Sequence, residues 1–246
     1  MRNKSKKMII FPVIALMITV TGAFLTQEFT KEQTDKLVAK EAVGQLTFDE
    51  HIKLAKARGK RKIAVPGIQE LYPVPESLDE ALSTYSAIIA KPTQQVSLLV
   101  EHGVIATWTK FKVSETLSNV RSDPAAYRYS FAPAPPPDIL PLNQDEILVF
   151  RSGGTATIDG VEVTSVQPWL PKFNDNKTYM LFLTFDPNNQ QIARLIVGPR
   201  GVFELDDNGK ITPLPNIFPN QIGIDLKVRH SGSLNSLRDD IRKRQK

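Results

Sequence analysis

The sequence predicts an all-β domain, a small antiparallel barrel or sandwich, preceded by an N-terminal hydrophobic helix and a short polar helical stalk. From residue 86 onwards, short runs rich in β-branched and aromatic residues follow one another without helical patterns between them. Turn dipeptides such as Asp159-Gly160 and Asn208-Gly209 join several of these runs as tight hairpins. The chain also holds 18 prolines in 246 residues, a share that argues against a mainly helical protein.

The first 25 residues predict export. Residues 8–25 carry no charge, and as a helix they would lie between a long signal peptide and a short membrane anchor in length. Residues 1–7 carry four basic side chains, which keep the amino end on the cytoplasmic side while the rest of the chain is translocated. We therefore expect residues 1–25 to be a signal peptide or a membrane anchor, with residues 8–25 in contact with the membrane at least during export. The protein would be secreted, periplasmic or single-pass anchored with its C-terminal domain outside.

Residues 26–77 are predicted to be a helical stalk and linker. Thr47 and Glu50 have the spacing of a capping box at the start of a helix, and Gly59 provides a stop. The apolar stripe of this helix is thin, which favours a peripheral position. Three prolines in residues 65–77 then predict an extended linker.

The β domain is predicted to span residues 78–214, a usual size for one domain with a single core. A second capping box, from Ser77 to Glu80, predicts a short helix at its entrance. Turn residues and β-rich runs place its strands at residues 86–91, 95–100, 104–115, 146–151, 155–158, 161–166, 178–185, 191–197, 201–205 and 210–214.

Two strands have informative side-chain patterns. In residues 104–115, Trp108 and Phe111 fall on opposite faces of the strand because side chains alternate. Residues 178–185 have no polar face, so we expect this strand to be buried on both sides at the centre of the domain.

A proline-rich insertion, residues 118–145, interrupts the β domain and supplies the candidate contact residues. Tyr127, Tyr129 and Phe131 recur at every second position, which places their rings on one side of an extended segment. Two interpretations stay open: these rings cap the open end of the protein's own barrel, together with Trp169, or they contact a partner. Long insertions without regular structure are commonly functional or disordered.

The tail, residues 215–246, is predicted to be irregular with a short basic helix marked by Leu234, Leu237 and Ile241. The net charge of +5 is concentrated in residues 1–7, 51–62 and 238–246, so the body is mildly acidic. An acidic body and export both disfavour nucleic acid as a partner.

Several packing and turn motifs resemble an uncharacterised family of exported bacterial all-β domains. The resemblance covers residues 78–214 and implies an OB-like or similar small barrel and export, but no catalytic residues. The chain departs from the family pattern at Ser118-Asn119, where the family has Lys-Gly, and at residues 175–177, where it has Pro-Gly-Glu. The matching motifs are Trp108-x-Lys110-Phe111-x-Val113-x-x-x-Leu117, Gly153-Gly154-Thr155, Tyr179-x-Leu181-Phe182-Leu183 and Gly198-x-x-Gly201-x-Phe203.

The sequence contains few residues of the types that carry catalysis. The chain lacks cysteine, which excludes disulfides, thiolate metal sites and a cysteine nucleophile. Its three histidines, His51, His102 and His230, lie in different segments without a second ligand at metal-binding spacing. No G-x-S-x-G nucleophile elbow occurs. We therefore single out no catalytic, cofactor-binding or metal-ligating residue.

Two functional hypotheses follow. The first is an envelope-associated, non-enzymatic binding or assembly module with an envelope protein as its partner. The alternative is an exported, carboxylate-dependent hydrolase of a cell-wall or extracellular polymer. Two carboxylates converging in a deep pocket would favour the enzyme, whereas a filled core with acids facing outwards would favour the module.

Overall fold

The structure is a computed structural model and describes residues 30–67, 75–100, 103–120, 133–166, 173–195, 198–214 and 220–244. None of the helices in these ranges is long and apolar enough to cross a membrane, and residues 8–25 lie outside them. The helices are α1 Lys31–Ala42, α2 Phe48–Ala57, α3 Leu78–Thr84, α4 Gln221–His230 and α5 Leu234–Arg244.

Strands dominate the fold, which confirms the expectation of a mainly β structure, although helices contribute more than an all-β class implies. The strands are β1 Lys62–Pro66, β2 Ser86–Val100, β3 Val104–Ser118, β4 Glu146–Ser152, β5 Gly154–Ile158, β6 Val161–Val166, β7 Thr178–Asp186, β8 Asn189–Arg194, β9 Val202–Leu205 and β10 Ile211–Pro213.

Seven strands form one sheet in the order β10-β9-β7-β2-β3-β4-β8, and β8 pairs in addition with β7. The pairings of β2, β3, β4, β8 and β7 therefore return to their starting point. Within this ring β4 and β8 run parallel, while the other neighbours run antiparallel.

The strand β2 joins two segments that the sequence predicts as separate strands. Its pairing with β3 shifts register between Pro92 and Gln94. Proline lacks a backbone N–H and is tolerated in a sheet at such a bulge. The bulge lets one long hairpin continue past the proline.

Apolar side chains fill the ring. Ile88, Phe111, Val149 and Leu181 belong to one buried cluster to which all five ring strands contribute. On the other side of β2 and β7, alternate residues such as Phe182 pack beneath α3, α4 and α5. Because β7 supplies residues to both clusters, its predicted burial on two sides is confirmed.

A second, smaller sheet, in the order β1-β6-β5, lies beside the ring. The sequence did not predict β1, which pairs with β6 in parallel. The helix α2 begins at the predicted capping box and buries Ile52 and Ala55 against this sheet and against Ile105 of β3. Part of the segment expected to be a stalk is therefore packed into the body.

The tail also differs from expectation. Residues 221–230, predicted to be irregular, form α4, whose first turn is capped by the Asn220 side chain. Burial of Ile222 and Leu226 stabilises this helix. The predicted stripe of α5 is buried in the same cluster.

Candidate functional site

The candidate contact residues Tyr127, Tyr129, Phe131 and Trp169 lie outside the described residues. The second part of the same insertion, residues 133–145, is described, and we call it the proline strap. The strap crosses the outer face of β3 and β4, and it defines the candidate functional site.

The floor beneath the strap is aromatic. Trp108 of β3 and Phe150 of β4 are fully buried, with ring centroids 5.1 Å apart and ring planes tilted by 53°. The guanidinium carbon of Arg194, on β8, lies 5.0 Å from the centroid of the Phe150 ring. Such a cation over an aromatic ring is stabilising, the more so when both are shielded from water. The sequence placed Trp108 and Phe111 on opposite faces, and they do belong to separate clusters.

Ile139 is the apolar anchor of the strap. It follows Pro137 in a single 3-10 turn and is fully buried in the cluster of Trp108 and Phe150. The next residue, Leu140, points away from this cluster and is 44% exposed. The strap therefore has one side fixed to the floor and one side open to solvent.

Side chains from three strands fasten the strap by its backbone carbonyls. Gln94 Nε2 of β2 donates to Asp138 O at 3.4 Å, and Lys110 Nζ of β3 donates to Pro141 O at 3.3 Å. Gln191 Nε2 of β8 donates to Asn143 O at 2.6 Å. At the end of the strap, the backbone N–H of Val113 on β3 also donates to Asp145 O at 2.8 Å. An aromatic floor with side-chain donors to an extended, proline-rich segment is the chemistry by which proteins bind proline-rich peptides.

Two polar atoms on β3 are buried without a hydrogen-bond partner among the described residues: Trp108 Nε1 and Thr109 Oγ1. A buried indole N–H usually has a partner, since leaving it unpaired costs about 1–3 kcal/mol. The floor of the site therefore contains a donor that the strap does not use.

In the described part of the chain, Asp79 and Asp240 come together on shared arginines, but neither the cavity beside the β2 bulge nor the cleft between α2 and β1 is lined by two carboxylates. No Asp or Glu in that part of the chain is buried, and no group of three or more metal-ligating side chains occurs. A cavity of about 540 Å³ beside the β2 bulge has Asp175 as its single described acid. A cleft of about 240 Å³ between α2 and β1 has Glu41 as its single described acid.

The acids with the most partners hold the helices together. Asp79 accepts from Arg229 and Arg244 at 2.7 Å each, and Asp240 accepts from Arg244 at 2.7 Å. The hydrogen bond from Arg229 is the main cause of the lowered pKa of Asp79. The hydrogen bond from Arg244 has the same role for the pKa of Asp240. Both groups stay ionised and are unsuited to donate a proton near neutral pH.

Comparison of the chain with protein-family models, curated proteins and solved structures found no match. The resemblance to exported all-β domains therefore stays a prediction.

Sequence reasoning missed the strap as a bound segment. Its signal was Ile139, an isolated β-branched residue two positions after a proline run.

Proposed function

We propose that the protein is an exported, envelope-associated and non-enzymatic binding or assembly module built on an OB-like barrel. We propose further that its partner contacts run along the insertion that contains the proline strap. The observation that carries this proposal is that the face of β3 and β4 is occupied by the chain's own strap.

The order of pairings supports the OB-like architecture. An OB fold is a five-stranded Greek-key barrel that binds its ligands on the face of its second and third strands. In the ring, β3 and β4 are the second and third strands in chain order. Ile139 covers this face and would have to leave before an oligonucleotide or oligosaccharide could stack on Trp108. A protein partner that contacts the outer side of the strap needs no such opening.

The distribution of acids supports a module over a hydrolase. Glycoside hydrolysis needs two carboxylates about 5–10 Å apart in one cleft, and one of them needs a raised pKa. The cavity beside the β2 bulge and the cleft between α2 and β1 each contain a single acid among the described residues. The pKa values of Asp79 and Asp240 are lowered, which is the opposite of that requirement.

Site-specific photo-crosslinking tests the partner surface. A photoreactive phenylalanine derivative replaces Leu140 on the strap or, as a control, Val228 on α4, which is 76% exposed. In intact cells we expect a discrete protein adduct from position 140 and none of that mass from position 228. Equal labelling from both positions, or no adduct from position 140, would contradict the proposal.

Replacing Tyr127, Tyr129 and Phe131 with serine separates the two interpretations of these rings. Unchanged thermal stability with loss of the crosslinked adduct supports a contact surface. A large fall in melting temperature with the adduct retained instead supports packing within the protein. If the variant keeps both its thermal stability and the crosslinked adduct, both interpretations are defeated.

Export is tested by protease treatment of intact protoplasts. If the basic heptapeptide sets the orientation, protease digests the chain beyond Leu25. Protection of the β domain would contradict export. The mass of the purified protein then shows whether residues 8–25 are retained as an anchor.

A further inference from the structure

The cleft between α2 and β1 lies apart from the strapped face and contains a surplus of cationic side chains. Its polar walls are Arg58, Lys60 and Lys62, together with His51, and they face one carboxylate, Glu41. Its floor is apolar and includes Leu54 and Ala55, both buried. The volume of about 240 Å³ is large enough for several water molecules.

The single acid does not neutralise the cleft. Glu41 accepts from both terminal nitrogens of Arg58, at 2.9 and 2.7 Å. This pair uses two of the five guanidinium N–H donors, and no other hydrogen bond of the Arg58 side chain occurs among the described residues, so the other donors can bind another anion. Glu41 therefore holds the Arg58 side chain in place.

Lys60 has no direct contact with Glu41, whose pKa is lowered mainly by the hydrogen bond from Arg58 and also by the charge of Lys60. No ion pair or side-chain hydrogen bond of Lys60 occurs among the described residues, while its backbone N–H donates to Ala55 O at 2.9 Å. Lys62 by contrast has an ion pair with Glu162 at 3.1 Å. An ammonium on a fixed backbone, beside a guanidinium held in place, matches the several oxygens of a tetrahedral anion better than it matches a single carboxylate.

We propose that this cleft binds a phosphate ester, with Arg58 and Lys60 contacting the phosphate oxygens and the apolar floor accommodating a small alkyl or glycerol substituent. Such groups occur in anionic lipid headgroups and in soluble phosphate polymers. The assignment of either source rests on the proposed export, whereas binding itself does not.

The test is calorimetric titration of the full chain in a neutral detergent with glycerol 1-phosphate. We expect saturable binding that Lys60→Gln weakens about tenfold, because one charge-assisted contact is lost. Lys53→Gln is the matched control, since it removes the same charge from α2 outside the cleft lining. It should leave the affinity within about twofold of the original value.

Ala64→Phe is a second variant, because it places a ring in the cleft without changing any charge. It should abolish binding while the folded protein, measured by its melting transition, persists. Absence of saturable binding by the unaltered chain, or equal losses in Lys53→Gln and Lys60→Gln, would overturn the proposal. Unaltered binding by Ala64→Phe would overturn it as well.

The acetylation rate of Lys60 relative to that of Lys53, measured in lipid nanodiscs, distinguishes a lipid headgroup from a soluble polymer as the source of the phosphate ester. Slower acetylation in phosphatidylglycerol discs than in phosphatidylcholine discs assigns the site to the headgroup. Equal rates in both discs, with slowing by added poly(glycerol phosphate), assign it to a soluble polymer. If neither phosphatidylglycerol discs nor poly(glycerol phosphate) slow the acetylation of Lys60, phosphate binding is overturned. The proposed export is not affected by that result.

Discussion

Gly154 lies where the structure leaves no space for an added methyl group. Its backbone has φ +133°, and a Cβ there would overlap Thr107 Oγ1 and lie 2.7 Å from Ser97 Oγ. These two hydroxyls are hydrogen bonded at 2.7 Å, and Thr107 Oγ1 also donates to Gly153 O. The start of β5 is thereby held against the β2–β3 hairpin.

We expect Gly154→Ala to lower the free energy of unfolding by about 3 kcal/mol, from backbone strain and steric overlap together. Gly160→Ala is the control, because Gly160 also has a positive φ, +79°, but has no atom within 4 Å of the added Cβ. Its cost should be about 1 kcal/mol. Urea unfolding of the two variants measures the difference, and equal losses would contradict the role of the close approach.

His230 links stability to pH. It is buried, with its Nδ1 atom 3.2 Å from Ser236 Oγ and its Nε2 atom 3.7 Å from Asp240 Oδ2. Burial is the main cause of its pKa lying below 6.5, and Arg229 and Arg244 add to this effect. Asp240 and Asp79 oppose it.

Below pH 6.5 the unfolded chain therefore binds a proton that folded His230 resists, so stability falls as the pH drops from 6.5 toward the folded pKa. His230→Gln should flatten the dependence of the unfolding free energy on pH between about 7.5 and 5. Urea unfolding at several pH values measures both slopes. Parallel slopes for the two proteins would refute the assignment to His230.

At the scale of elements, the strap depends on one anchor. Ile139→Ala removes buried methyl groups from the cluster over Trp108 and should cost about 2–4 kcal/mol. A Trp169→Phe background leaves Trp108 as the one tryptophan. In that background, Ile139→Ala should shift the fluorescence emission of Trp108 to longer wavelength, because water reaches the ring. Leu140→Ala changes the adjacent, half-exposed residue and should leave both quantities nearly unchanged. An unshifted emission for Ile139→Ala would show that the strap is not held by this residue.

Elements defined by local signals could be predicted from the sequence, and elements defined by distant partners could not. The capping box at Thr47 starts α2, and the apolar run of β7 is buried on both faces. Strand β1 has only Ile63 and Val65 as apolar signals, and its partner β6 lies far away in sequence. In α4, Gly223 weakens the local helical pattern, and burial against the sheet compensates.

The candidate site also combines a local signal with a distant partner. Alternation in β3 predicts that Trp108 faces away from Phe111, but it does not say what covers Trp108. The cover is Ile139, which reaches it from the insertion through contacts of Gln94 and Gln191 with backbone carbonyls. Such side-chain to backbone contacts leave no periodic pattern.

Across the whole molecule, stability is expected to be uneven. Amides of β7 pair with β2 on one edge and with β9 and β8 on the other, and their side chains are buried on both faces. By contrast, Leu37 is the one buried residue of α1. In hydrogen exchange followed by mass spectrometry, peptides of β7 should open only with global unfolding, whereas α1 exchanges through local opening at much lower free energy. Similar protection of the two elements would contradict this hierarchy.

The ion pairs that join Asp79 to the two C-terminal helices can form only late in synthesis, because α3 is made long before those helices. Asp79 and its partner Arg244 are 165 residues apart. At about 5–20 residues per second, this gap corresponds to roughly 10–30 s of synthesis, during which α3 has no helix from the tail to contact. Each nascent chain therefore spends that interval with the apolar surface of α3 and β2 incompletely covered and available to a chaperone.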